Sequence, residues 1–282
     1  MQAGTIPQSG DTLAGEAEAL RDHARFDRAV AAYLDGLIRW REGSPLLHKL
    51  SANKARMHVA GYLLHLSAAS SVAGGDGGVP YGDLHALCAG EKAGVGDRVL
   101  KTMLALMTLA RFVDRWRDPS DRRVRFYRPT RRMFDHARLA YGYAAEALDA
   151  VEPAMERRRR LQSDQDFFRR MLVSAGSAHA ASPPDLLMPD FIGFIGNCEG
   201  AGPVLAAIMR SEMLDRAVQS RSALAGRFGL SKSQVNRIVA EAGARGYLDV
   251  DGRGVPATRR ALRDTFSRWI SIELAFHARH MR

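Results

Sequence analysis

The chain contains few cysteines and no long apolar run. Its two cysteines, Cys88 and Cys198, are too few and too far apart for a disulfide framework or a cysteine zinc site. No stretch approaches the ~20 apolar residues that a membrane-spanning helix needs. The first 26 residues contain acids and lack an apolar run followed by a cleavage site, so we expect no signal peptide. These absences predict a soluble cytoplasmic protein that does not enter a membrane.

Lysine is also scarce, although the chain is basic. There are 41 Lys and Arg against 31 Asp and Glu, a formal net charge of +10, and arginine supplies nearly all of the positive charge. The planar guanidinium group binds phosphate through two parallel hydrogen bonds. The charge excess therefore indicates a polyanionic partner, either nucleic acid or an acidic membrane surface.

Sequence motifs for catalysis and for metal binding are not found. The glycine-rich segment 74–78 follows a predicted helix and lacks the Lys-Ser/Thr of a phosphate-binding loop. His277 and His280 are three residues apart on a predicted helix, where we expect a surface pair rather than a metal site. The arginine run 157–160 is predicted to form a solvated or phosphate-touching surface. We expect a protein that is not an enzyme and that needs no cofactor and no metal.

Hydrophobic periodicity predicts a mainly α-helical chain with small β-hairpins, an α+β fold. The predicted helices cover residues 16–41, 52–69, 81–89, 96–109, 131–160 with a break at Pro153, 164–174 and 257–280. Two hairpins are predicted, over residues 111–127 and 248–255. The helical segments outside the hairpin units should pack together inside one chain as a helical body, because an apolar stripe must be buried against another element. These segments are 16–41, 133–151, 164–174 and 262–280.

An internal repeat relates the two halves of the chain. Gly94-Val95 and Gly229-Leu230 each precede a predicted helix, and apolar positions coincide at this offset of 135 residues into the following strand. After the hairpin, Thr130-Arg131-Arg132 aligns with Thr258-Arg259-Arg260 at an offset of 128. The second hairpin is therefore predicted to be seven residues shorter.

The second repeat contains a predicted helix-turn-helix. Residues 222–228 form a short helix, Gly229-Leu230 the turn, and residues 231–245 the following helix, with small apolar residues where the two helices cross. Short polar and basic side chains crowd the exposed start of the second helix. They are Ser231, Lys232, Ser233, Gln234, Asn236 and Arg237. Such side chains bind phosphates, guanine through Arg, and adenine through Asn or Gln. The pattern favours contact with DNA.

At this point the chain resembles a known family. The run 224–239, Leu-Ala-Gly-Arg-Phe-Gly-Leu-Ser-Lys-Ser-Gln-Val-Asn-Arg-Ile-Val, resembles the helix-turn-helix of MarR-type winged-helix regulators, and the run 118–123, Asp-Pro-Ser-Asp-Arg-Arg, is similar to the wing of that family. The resemblance implies two winged helix-turn-helix units joined by a helical body. It divides the chain into an N-terminal helical segment (1–50), a first winged-helix unit (51–135), a helical connector (136–200) and a second unit with the C-terminal helix (201–282).

The resemblance also assigns further DNA-binding residues. Arg98, Lys101 and Thr102 correspond to the first recognition helix, Arg122 and Arg123 to the first wing tip, and Arg253 to the second, truncated wing tip. The implied function is a sequence-specific regulator of transcription that binds double-stranded DNA and is associated with the nucleoid. A small-molecule effector is left open as a partner, as is the choice between a monomeric pseudo-dimer and a homodimer.

Two other functions stay open at this stage. Plasmid-type replication initiators also carry tandem winged helices, so the location of the bound DNA would separate an initiator from a regulator. A protein–protein adaptor whose winged helices have lost DNA binding is favoured by the first recognition helix, which is poor in base-reading side chains. Binding to duplex DNA that weakens with salt would separate a DNA-binding protein from an adaptor.

Overall fold

A computed structural model describes residues 12–42, 54–90, 94–251 and 255–282, and within these ranges the protein is mainly helical. Thirteen α-helices form in the described residues. They are α1 (Leu13–Arg21), α2 (Phe26–Glu42), α3 (Lys54–Val72), α4 (Tyr81–Ala89), α5 (Asp97–Leu109), α6 (Arg131–Val151), α7 (Arg157–Ser163), α8 (Gln165–Ala181), α9 (Pro189–Asn197), α10 (Ala201–Met213), α11 (Arg221–Phe228), α12 (Lys232–Ala244) and α13 (Arg260–His280).

Two small antiparallel sheets accompany the helices. Strands β1 (Val79–Pro80), β2 (Val113–Arg117) and β3 (Arg125–Pro129) form a sheet with the order β1-β3-β2. Strands β4 (Leu248–Val250) and β5 (Pro256–Thr258) pair alone. The prediction of a mainly helical chain with two hairpins is confirmed, whereas β1 was not predicted.

The N-terminal region differs from the sequence prediction. One helix was predicted over residues 16–41, but the chain breaks between α1 and α2. The Asp22 N–H bonds back to the last turn of α1, and the Nδ1 atom of His23 accepts the Arg25 N–H at 3.1 Å. Side chains that bond to nearby backbone in this way compete with helix hydrogen bonding, which accounts for the break. The predicted break at Pro153 is confirmed, because α6 ends at Val151 and α7 begins at Arg157.

Apart from strand β1, the same order of elements occurs in the described residues of both halves of the chain. Helices α5 and α12 both have 13 residues and begin 135 residues apart; α6 and α13 both have 21 residues and begin 129 residues apart. The Thr130 N–H bonds to Phe112, and the Arg259 N–H bonds to Tyr247, so Thr130 is equivalent to Arg259. The aligned Thr258 is therefore one residue out of register, and the second hairpin is six residues shorter, not seven. We call residues 54–151 the first repeat and 201–280 the second repeat.

Helix α2 connects the two repeats. It packs against α6 of the first repeat and against α10 of the second. Arg39 pairs with Glu146 of α6 at 3.1 Å, and both oxygens of Asp35 accept hydrogen bonds from Arg210 of α10 at 2.8 and 3.0 Å. One continuous set of buried apolar residues runs through both repeats and α2. The repeats are thus held in one packed body.

The approach of α2 to α6 depends on Gly36. A Cβ atom at this position would lie 2.6 Å from the Cβ of Tyr143, closer than packed carbon atoms come. Glycine therefore lets the two helix backbones come close enough for the Arg39 and Glu146 side chains to pair across the contact.

The helical body contains the segments that the sequence predicts for it. Helix α1 packs on α13, α6 and α8 also contact α13, and α2 contacts both α6 and α13. The prediction that His277 and His280 form a surface pair is wrong, because both histidines are partly buried in this body. His280 hydrogen bonds to Ser174 at 2.7 Å, and His277 lies 3.9 Å from the carboxylate of Glu273.

The arginine run 157–160 is not a free basic surface. Arg157 is 2% exposed and pairs with Glu152 at 2.5 Å, and the Asp149 carboxylate accepts the backbone N–H groups of Arg157 and Arg158. Arg159 pairs with Glu156. The expectation of a solvated run is wrong for Arg157, which is buried next to Asp149 of α6 and pairs with Glu152, the residue that follows this helix.

Within the described residues, no single helix is both long and apolar enough to cross a membrane. One pair, α9 with α10, passes that test together on length and composition, and its two helices are bent by 104°.

Candidate nucleic-acid interface

The exposed start of α5 is fixed by a series of hydroxyl and carboxylate contacts. Asp97 in the first turn accepts the Tyr81 hydroxyl at 2.5 Å and pairs with Lys101 at 2.7 Å. The Lys101 ammonium, followed by the Tyr81 hydroxyl, lowers the pKa of Asp97. Tyr81 in turn contacts the ring of Tyr127 on β3 at 6.3 Å between centroids. This series of contacts joins the start of α5 to the β2–β3 hairpin.

The predicted residues of α5 are all exposed, but they differ in their partners. Arg98 has no acid within ion-pair distance among the residues that the structure describes, whereas Asp97 binds Lys101. The Thr102 hydroxyl donates to the Arg98 carbonyl at 2.8 Å. Apolar side chains share the exposed surface of this helix. They are Val99 (40% exposed), Leu106 (39%) and Leu109 (82%).

One face of the β2–β3 hairpin is strongly basic. Side chains alternate along a strand, so Arg115 and Arg117 share a face with Arg125 and Tyr127. The register places Arg117 directly opposite Arg125, and Arg115 opposite the buried Tyr127. None of these three arginines has an ion pair in the described part of the chain. Like charges opposite each other on a sheet are destabilising, so this face favours an external anion.

The hairpin loop presents two more arginines. The Asp118 carboxylate accepts hydrogen bonds from the Ser120 hydroxyl and from the backbone N–H groups of Ser120 and Asp121, and these bonds lower its pKa. The ordered turn leaves Arg122 and Arg123 exposed at the tip. Neither has an acid within ion-pair distance among the described residues.

The opposite face of this hairpin is neutralised. Trp116 stacks on Phe126 with centroids 5.6 Å apart and planes 12° apart. The guanidinium group of Arg128 lies 5.2 Å from the Trp116 ring and within 4 Å of the carboxylates of Asp76 and Asp114. The hairpin is thus two-sided, with aromatic packing on one side and unpaired arginines on the other.

The start of α12 is a complete capping box. Gln234 N–H donates to the Ser231 hydroxyl at 3.1 Å, and the Ser231 N–H donates to Gln234 Oε1 at 2.8 Å. The hydroxyl groups of Ser231 and Ser233 lie 2.9 Å apart. Both capping side chains hold the helix end, so they have less freedom to reach a base than the exposed Lys232 and Asn236.

Asn236 and Arg237 are exposed but lie towards different neighbours. Arg221 of α11 donates to Asn236 Oδ1 at 3.3 Å. Arg237 faces α9 and the thiol of Cys198, and with Glu241 it lines a cleft between α9 and α12. Burial raises the pKa of the Cys198 thiol, and the nearby Arg237 acts in the opposite direction. The predicted residues of α12 therefore surround the helix start without forming one contiguous cluster.

In its described residues, the second hairpin carries less free charge than the first. Arg259 donates twice to Asp249, at 2.8 and 2.5 Å, and its hydrogen bonds lower the pKa of that carboxyl. The backbone N–H and hydroxyl of Thr258 both donate to Glu212 of α10. The predicted tip residue Arg253 lies outside the described residues.

Sequence reasoning missed three of the basic hairpin residues. Arg115, Arg117 and Arg125 were not among the predicted DNA-binding side chains, although they border the predicted tip. Alternation from the buried Val113 was the signal that places them together on one face, but using it requires the strand register.

Comparison of the chain with protein-family models, with curated proteins and with solved structures finds no match.

Proposed function

We propose that the protein is a sequence-specific regulator of transcription that binds double-stranded DNA through two winged-helix units in one chain. The observation that carries this proposal is the basic face of the β2–β3 hairpin. Five exposed arginines on this hairpin have no acidic partner among the described residues, and two of them face each other across the strands. Phosphates supply the anions that such a surface needs.

The arrangement of elements supports the same proposal. The first repeat has the winged-helix order of helix, strand, two helices and hairpin, with the hairpin as the wing and α5 as the recognition helix. The second repeat has the same order without a described counterpart of β1. Recognition helices in such units contact base edges in the major groove, while basic wings contact the adjacent backbone.

The two units have complementary roles in this proposal. The first contributes phosphate contacts through its basic hairpin, while the exposed surface of α5 is partly apolar. The second contributes base contacts through Asn236 and Arg237, while its short hairpin has Arg259 neutralised by Asp249. Together they predict an asymmetric operator, with one half-site bound mainly through phosphates.

A protein–protein adaptor is the second candidate, favoured by the exposed apolar side chains of α5. Leu109 is 82% exposed and lies on the same surface as Leu106 and Val99. A surface of this kind suits a protein partner better than base edges. The five arginines of the neighbouring hairpin, which have no acidic partner among the described residues, favour the DNA-binding proposal, because an adaptor has no need of so many uncompensated cations on one hairpin.

The test is selection from a random duplex library, followed by anisotropy titration of selected and random duplexes at several salt concentrations. We expect preferential binding of the selected sequence and a linear fall of log affinity with log salt, at ~0.9 per neutralised phosphate. Absence of a salt slope would support the adaptor. Mapping bound sites to promoters or to replication origins then separates a regulator from an initiator.

A further inference from the structure

A largely buried cluster of potential metal ligands lies in the helical body. It brings together His58 of α3, His179 of α8 and Asp185 of the short 3-10 turn Pro184–Leu187. One ligand atom from each residue lies within 4.8 Å of the others. His58 is 7% exposed, and its Nε2 atom lies 4.0 Å from Asp185 Oδ2.

We propose that His58, His179 and Asp185 bind a divalent transition-metal ion of the Zn²⁺ class. Two imidazoles and one carboxylate are donors that Zn²⁺ prefers, and a fourth position stays open for water. Tetrahedral bonds of about 2.0–2.2 Å put ligand atoms roughly 3.4 Å apart. Side-chain rotations that move the three ligand atoms by about an ångström would therefore complete the site.

The surroundings of the cluster suit a metal site. The Tyr62 hydroxyl, one turn along α3 from His58, lies 3.5 Å from His179 Nδ1. A ligand histidine commonly has its second nitrogen bonded to a partner of this kind, which leaves Nε2 for the metal. The rings of His58 and His179 meet edge to face with centroids 5.1 Å apart, so both can turn towards one ion.

Lys54 competes with the proposed ion. Its ammonium lies 2.8 Å from Asp185 Oδ2, and the side chain is 34% exposed. Metal binding would displace this ammonium into solvent and replace its charge at the carboxylate. If removal of Lys54 tightens metal binding, the lysine and the ion compete for the Asp185 carboxylate. An ion pair that only stabilises the fold would not produce this effect.

The site would connect separate parts of the fold. His58 lies on the first helix of the first repeat, and Asp185 lies just before α9, which borders α12. Occupancy would fix α3 to the segment that leads to the second recognition helix. The metal proposal does not depend on DNA binding, since its test measures the metal directly.

The test is titration of the metal-free full chain with Co²⁺, followed by displacement with Zn²⁺. We expect one ion per chain, with the intense visible absorption of tetrahedral Co²⁺, and a raised Tm. His58→Gln, His179→Gln and Asp185→Asn should each weaken binding at least 10- to 100-fold. His85→Ala, which removes a partly exposed histidine of α4, should bind as the unaltered chain does.

The decisive variant is Lys54→Gln, which should tighten Co²⁺ binding about fivefold. Lys54→Gln also tests the proposal if circular dichroism shows that one of the ligand variants does not fold. The proposal is wrong if the unaltered chain gives no tetrahedral Co²⁺ spectrum. It is equally wrong if the spectrum survives in all three ligand variants, or if Lys54→Gln weakens binding.

Discussion

At the scale of single residues, the arginines of the hairpin and the polar side chains of α12 should affect DNA binding differently. Arg122→Ala and Arg123→Ala each remove a proposed phosphate contact, so each should weaken selected and random duplexes alike and lower the salt slope by about 0.9. Asn236→Ala or Arg237→Ala should cost about 1–3 kcal/mol on the selected duplex and little on random DNA.

Anisotropy competition between the two duplexes measures this division. Arg159→Ala is the matched control, because it removes an exposed arginine that pairs with Glu156 on the helical body. Its affinity should equal that of the unaltered chain. The division of roles fails if Arg122→Ala changes sequence preference while Asn236→Ala lowers affinity for both duplexes equally.

Glu273 makes stability depend on pH. Burial, followed by the nearby Asp185, raises the pKa of Glu273 from 4.5 to about 7. The groups that face it are Tyr33 of α2, Tyr141 of α6, Asp185, and Trp269 and His277 on its own helix. Because the folded protein keeps the proton that the unfolded chain has lost, the free energy of unfolding should fall as pH rises from about 4.5 to 7.

Glu273→Gln isolates this effect, since it keeps an acceptor for the Trp269 indole and cannot ionise. Urea unfolding of both proteins should show the stability of the unaltered chain falling relative to Glu273→Gln, by about 3 kcal/mol across the window. Titrating groups that do not contact Glu273 cancel in the difference. Parallel pH curves for the two proteins would contradict the raised pKa.

At the scale of elements, the turn before α12 depends on a left-handed glycine. Gly229 has φ +62°, and its counterpart Gly94 before α5 has φ +59°. Gly229→Ala should destabilise the protein by about 1–2 kcal/mol, because a Cβ clashes in this conformation. Gly226→Ala is the control: it is exposed within α11 with no atom near its Cβ position, and it should stabilise by about 0.5–1 kcal/mol.

Chemical denaturation of both variants provides the comparison. If Gly229→Ala is as stable as the unaltered chain, or gains stability as Gly226→Ala is expected to, the turn does not require the left-handed conformation.

Elements that depend on local pattern could be predicted from sequence. The offset of 135 residues between α5 and α12 follows from apolar periodicity, and the break at Pro153 follows from the missing N–H of proline. The break at residues 22–25 depends on side-chain bonds such as that of His23 to the Arg25 N–H, which compete with the helix. Periodicity does not reveal them.

Contacts between distant segments were beyond sequence reasoning. The one-residue error at Thr258 arose because two similar Thr-Arg runs stand at slightly different places in their hairpins, which only strand pairing reveals. Likewise, the sequence shows no metal-ligand spacing for the proposed site, because His58 lies more than a hundred residues before His179 and Asp185. Folding of α3 against α8 brings them together.

At the scale of the whole molecule, α2 determines how the repeats are joined. Its bonds to both sides, Asp35 with Arg210 and Arg39 with Glu146, accompany apolar packing that is shared by the two repeats. A single chain therefore already buries the apolar faces of these helices, which would otherwise have to pack against a second copy of the chain. Helices α5 and α12, the proposed recognition helices, belong to one packed body, and a bound duplex would have to accommodate the spacing between them.

We therefore expect a monomer in solution that binds DNA as one chain. Light scattering should give a mass near 31.0 kDa without DNA and a one-to-one complex with the selected duplex. Two recognition helices about one DNA turn (~34–36 Å) apart should protect roughly 20–25 base pairs. Leu109→Glu tests the alternative, because Leu109 is the most exposed apolar side chain of α5. A stable free dimer that Leu109→Glu dissociates, with a much longer footprint, would show that two chains are needed.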